Sequence, residues 1–121
     1  MIYVTLPREN LESLSKIALD HYGTASQLDV AQEELAELVV AISHFRRGRD
    51  ESKQRIIEEI SDVIIMTQQL CLVFGKQEVD DTVQQKLRRL KEKIRGDRVE
   101  AGQATASIGS SIHGPTTIQS W

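Results

Sequence analysis

Two pairs of acidic residues stand at mirrored distances from Gly48: Glu34 and Asp62 each lie fourteen residues from it, Glu37 and Glu59 eleven. Within Glu34/Glu37 and within Glu59/Asp62 the spacing is i,i+3, which sets both carboxylates on one face of a helix. The stretch Arg46-Arg47-Gly48-Arg49-Asp50 reads as a short turn. If the chain reverses there as an antiparallel helix pair, Glu34 comes level with Asp62 and Glu37 with Glu59. Four carboxylates at one height on adjacent helices repel each other, and a hard divalent cation with oxygen ligands relieves that repulsion. The pattern asks for a helical hairpin, with a cation site as its corollary.

The rest of the chain agrees with helices. Aromatic residues make up only 4%, and between residues 25 and 95 the only Gly or Pro residues are Gly48 and Gly75. Pro7 suits the first turn of a helix, along which Leu11, Leu14, Ala18 and Tyr22 repeat at helical spacing up to Gly23. Thr24-Ala25-Ser26-Gln27 reads as a capping box opening a second helix that runs to about Phe45. Asp50 is the expected N-cap of a third helix, from about Glu51 to Phe74, with Gly75 as its stop. A fourth helix is expected from about Glu78 to Arg95, ended by Gly96, with Val79, Val83, Leu87, Leu90 and Ile94 as its stripe. The fold class is therefore all-α, a four-helix bundle over residues 1–96. Residues 97–121, rich in Gly, Ser and Thr, read as a flexible tail whose Ile108, Ile112, Ile118 and Trp121 could dock on a neighbouring surface.

At 121 residues the chain fits one core, and its net charge of −3 argues against a general nucleic-acid-binding surface. No stretch is long and apolar enough to span a bilayer, so no membrane partner is expected. The opening MIYVTLPRE lacks the basic-then-apolar order of a signal peptide. The single cysteine, Cys71, cannot form an intrachain disulfide, which fits a reducing compartment and a cytoplasmic location.

Helices two and three carry more apolar surface than one core needs. Leu28, Ala31, Leu35, Leu38, Val39 and Ile42 form the expected core face of the second, leaving Val30, Val40 and Ala41 outside it. Val63-Ile64-Ile65-Met66 makes the third apolar in every direction, and a helix apolar all round is buried all round. A homodimer or a dimer of dimers built on this hairpin is the expected solution.

The acids sit on otherwise apolar lanes: Val30, Glu34, Glu37 and Ala41 on one helix, and Glu59, Asp62, Met66 and Val73 on the other. With neither Cys nor His in the group, zinc is disfavoured. The Glu-x-x-His motif of di-iron bundles is also missing. An all-carboxylate set points to Mg²⁺, with Mn²⁺ as a substitute, and such ions commonly meet phosphates. Arg55, one turn before Glu59, and Lys86 and Arg89 on the fourth helix are candidate phosphate contacts, although stripe-flanking cations often only lay their stems on a core. Gln27 is a further candidate substrate contact, to a base or ribose, although its role in the capping box is the more economical explanation.

Glu33-Glu34-Leu35-Ala36-Glu37 followed by Glu58-Glu59-Ile60-Ser61-Asp62 resembles the EExxE…ExxD signature of the all-α nucleoside triphosphate pyrophosphohydrolases. That superfamily includes the MazG-like enzymes, the dimeric dUTPases and the dCTP pyrophosphatases. The text HYGTASQLDVAQEELAELVVAISHFRRGR and IIEEISDVIIMTQQL is most similar to small single-domain MazG-like proteins, and the likeness covers about residues 10 to 95. The resemblance implies hydrolysis of a nucleoside triphosphate to monophosphate and pyrophosphate, with Mg²⁺ on Glu34, Glu37, Glu59 and Asp62. It implies assisting acids at Glu33 and Glu58, phosphate contacts at Lys86 and Arg89, and assembly as dimers or tetramers. The chain departs from it at Val30, where many relatives carry Lys, and in the tail, which has no counterpart. Two rival readings are a non-catalytic helical module that binds nucleotides or a partner protein, and a bundle that divalent cations merely stabilise.

Overall fold

The computed structural model describes residues 8–49 and 52–107. These residues form four helices, α1 (Arg8–Tyr22), α2 (Thr24–Arg46), α3 (Ser52–Phe74) and α4 (Lys76–Ser107), and no strand is present among them. Pro7, Asp50, Glu51 and the docking residues expected at Ile108, Ile112, Ile118 and Trp121 lie outside the described residues. The chain divides after Val79 into two compact units.

The first unit is built on the α2–α3 hairpin, with α1 packed mainly on α3 and less on α2. The reversal occurs at Gly48, whose φ of 75° lies in the left-handed region where a side chain is disfavoured. There the Gly48 and Arg49 amides donate to the carbonyls of Phe45 and His44, closing the end of α2. Gly75, at φ 122°, ends α3 in the same way, and its amide donates to the Cys71 carbonyl. The sequence did not suggest one further clamp. Glu12 on α1 holds Lys76 at 3.1 Å and Lys16 at 3.3 Å, tying α1 to the start of α4.

The α2 face turned inward differs in part from the expected one. Ala31 is buried as expected, and Leu28 and Leu38 are half-buried. Ala41, expected outside the face, is buried too, while Leu35, Val39 and Ile42 are exposed, Val39 at 67%. Sequence size misleads here. Small residues let two helix backbones approach, so the contact lane runs through Gln27, Ala31, Glu34, Leu38 and Ala41, and the large aliphatic residues lie to its side. Facing it on α3, Glu59, Met66 and Gln69 are buried. Among the described residues the buried apolar set is thin, namely Ala31, Ala41, Met66 and Cys71.

A second difference concerns the N-terminus of α2. Thr24 is its first helical residue, Gly23 occupies the N-cap position, and no side-chain cap bond forms there. Gln27 therefore takes no part in a capping box, because its side chain is drawn into the hairpin interface instead.

The second unit is the remainder of α4, from Asp80. The helix does not stop at Gly96 but continues to Ser107. Gly96 is not among the positive-φ glycines, and the following residues include Ala101, Gln103, Ala104 and Ala106, good helix formers that carry the helix past the change in composition. Leu87, Leu90, Ile94 and Val99 line a groove on α4 together with Lys91, Arg95 and Arg98. No helix among the described residues is long and apolar enough to cross a membrane.

Candidate metal centre

The hairpin brings acids from both helices together. Carboxylate oxygens of Glu34, Glu59 and Asp62 all lie within 4.8 Å of one another. Glu37 is exposed and lies outside this group of three, although its charge helps to raise the Glu59 carboxyl after burial has done so. The meeting of Glu34 with Asp62 follows from the mirrored spacing.

The electrostatics are strained. Burial pushes the Glu34 carboxyl above the usual glutamate range, and the charges of Asp62, Glu37, Glu59 and Glu33 push the same way. Glu59, only 5% exposed, is raised by burial first and then by the Glu37 charge, against the opposing pull of Arg55. The Arg55 Nε lies 3.3 Å from Glu59 Oε1 and is the cluster's one neighbouring cation among the described ion pairs.

Two oxygens remain without partners. Glu34 Oε2 and Glu59 Oε2 are buried and have no hydrogen-bond partner among the described residues. Buried carboxylate oxygens are costly unless bonded or bound to a metal. The donor set consists only of oxygens and comes from two helices held in one register. It therefore fits Mg²⁺ or Mn²⁺ rather than zinc, whose usual thiolate and imidazole ligands are missing from the group. The residues present are suited to such an ion.

The remaining candidates are placed differently. Glu33 and Glu58 are exposed and do not belong to the three-residue group, and Glu58 accepts a long hydrogen bond from Gln54, 3.4 Å. Arg55 is engaged with Glu59. Lys86, half-buried, and Arg89, exposed, lie on α4 in the second unit. His44 lies in the last turn of α2, and its ring is 3.4 Å from the Arg49 guanidinium, away from the acids.

Gln27 is buried, and its Nε2 donates to Gln69 Oε1 at 2.7 Å. Gln69 was not singled out in the sequence. The signal was available, since Gln27 and Gln69 each lie twenty-one residues from Gly48, the same reflection that pairs the acids. The contact is an independent measure of that register. No family model, curated protein or solved structure matches the chain.

Proposed function

We propose that this chain is a Mg²⁺-dependent nucleoside triphosphate pyrophosphohydrolase of the MazG-like all-α type, acting with water on the α–β phosphoanhydride to release a nucleoside monophosphate and pyrophosphate. The observation that carries the reading is the convergence of Glu34, Glu59 and Asp62, with one orphaned buried oxygen on each of the two glutamates. Those three residues would hold the ion, and for Glu37 as a fourth ligand the support is its spacing in the sequence and the reach of its charge to Glu59. When bound, Mg²⁺ neutralises charge on phosphate oxygens and orients water.

The chain supplies the other parts. Arg55, one turn from the ligands, offers a cation to a phosphate once it leaves Glu59. Glu33 and Glu58, exposed and adjacent in sequence to ligands, are the candidates to take a proton from the attacking water. For Lys86 and Arg89, support comes from the sequence resemblance alone. The exposed Leu35, Val39, Val40, Ile42 and Phe45 of α2, with Ile57, Ile60 and Ile65 of α3, favour a homodimer or a dimer of dimers joined through the hairpin.

The test is incubation of folded protein with each NTP and dNTP in the presence of Mg²⁺, with assay of pyrophosphate and monophosphate. Equal amounts of the two from at least one nucleotide are expected. Their absence across the panel would return the chain to the non-catalytic readings.

A further inference from the structure

The α2–α3 contact contains little that chooses one register over its neighbours. Its buried apolar members on α2 are Ala31 and Ala41, which a sliding helix passes easily, and Val63 to Met66 present apolar surface on every side of α3. Apolar packing of this kind is non-directional. The acids make matters worse, because they work against the offset that brings them together. Glu34, Glu59 and Asp62 come within 4.8 Å of each other at this offset, and a slide of one turn, about 5.4 Å, eases the repulsion by leaving one level pair of acids in place of two. Without a bound cation, the short turn at Gly48 constrains the helices at one end only, and a directional contact farther along has to hold the rest of the interface in register.

The Gln27–Gln69 pair has the required properties. The two amides are directional, both are buried at 8% and 4% exposure, and they meet at 2.7 Å across the hairpin. A one-turn slide in either direction pulls them apart and leaves two buried amides without each other. Buried polar pairs that cost some stability but specify a helix register are the best-attested use of such groups. Gln27 lies seven residues, two helical turns, before Glu34 on the same lane, and Gln69 lies seven after Asp62. The bond and the acid cluster therefore report on one and the same offset.

We infer that the Gln27–Gln69 hydrogen bond is a register pin, holding α2 and α3 at the one offset that converges Glu34, Glu59 and Asp62 before any cation arrives. Calling the assembled acids a cation site rests on the function proposed above, whereas the pinning of the helices does not. Gln27 and Gln69 are positioning residues: they act through the carboxylates and touch no substrate.

The test compares the native pair with Gln27→Leu/Gln69→Leu, which keeps side-chain bulk and removes direction. Nitroxide labels at exposed Ser26 and Lys53, in a Cys71→Ala background, report the axial offset through their distance distribution. The native pair should give one distance. The double-leucine variant should add a population displaced by about one helical turn, with Mn²⁺ affinity reduced at least tenfold and a Tm no lower than that of the native pair. A merely structural pair would lower Tm and leave distance and affinity unchanged. Should the double variant not fold, Gln69→Met, which keeps length and leaves Gln27 in place, is measured in the same way. An unchanged single distance in the folded variant overturns the pin, whatever the Mn²⁺ affinity. If the native pair shows one distance but binds no Mn²⁺, the cation reading fails and the distances alone decide the pin.

Discussion

Replacing Glu59 by Gln is the most informative single change to the cluster. The amide keeps the shape of the side chain and removes one negative charge from a buried position where Glu37 and Asp62 repel it. The metal-free variant should therefore be at least as stable as the parent, although Arg55 loses its partner at 3.3 Å. With Mg²⁺ the order should reverse. At an ion concentration of 100 times Kd, binding to the folded state stabilises the parent by about 2.7 kcal/mol. For a folded unit of this size that amounts to roughly 10–20 °C in Tm. Loss of one ligand should weaken binding by at least the roughly hundredfold seen at the upper end for outer-shell partners. The same Mg²⁺ then stabilises the variant by only about 0.4 kcal/mol, or roughly 2–3 °C. Thermal melts followed by circular dichroism, with and without Mg²⁺, read both effects, and pyrophosphate release from the folded variant should vanish. Equal Mg²⁺ shifts in parent and variant would refute the reasoning, because Glu59 would then not be a ligand.

Four further outcomes follow from the same structure. For Glu34 and Glu59, whose folded-state pKa values are raised, the proton is retained in the folded protein where the unfolded chain has lost it. Their contribution to metal-free stability is complete below about pH 4.3, the unperturbed glutamate value, and is lost as pH rises through the raised values. Glu12, lowered by its bonds to Lys76 and Lys16, acts in the opposite sense and loses its contribution as pH falls through its depressed value. Urea midpoints across this range should show the alkaline-side loss in the parent and its reduction in Glu59→Gln. Gly75→Ala should cost about 1–3 kcal/mol by denaturant unfolding, since its φ is 122° and the new Cβ would meet the Glu78 side chain. Gly96→Ala should instead raise helical stability by about 0.5–1 kcal/mol, because α4 runs through that position with open space around it. Ala41→Leu, placed where no surface is exposed, should destabilise by about 1–3 kcal/mol through overpacking.

These residues also show what was legible in the sequence. The cross-helix partners of the acids could be read because a helical hairpin with one short turn converts equal distances from Gly48 into equal heights. The same rule would have revealed Gln69. It was obscured by a local motif, since Thr24-x-x-Gln27 has the spacing of a capping box and a local reading competes with a long-range one. The core lane of α2 was misjudged in part: Ala31 was expected there and is buried, but hydrophobic patterning favoured the large Leu35, Val39 and Ile42, whereas close helix approach favours Ala41. The length of α4 was hidden by Gly96, a residue that ends helices when it adopts positive φ but can also sit within one. No pattern in the chain marks which of the flanking acids, Glu33 and Glu58 among them, stays in solvent, because that depends on the rotation of each helix about its own axis.

The central claim, that these acids hold one divalent ion, is tested most directly by titrating the protein with Mn²⁺ and following paramagnetic broadening of its NMR signals. The account predicts saturation at one ion per chain at the outset, with broadening centred on Glu34, Glu59 and Asp62, reversed by excess Mg²⁺. Broadening scattered over exposed acids such as Glu33 and Glu58, or none near the α2–α3 cluster, would contradict it.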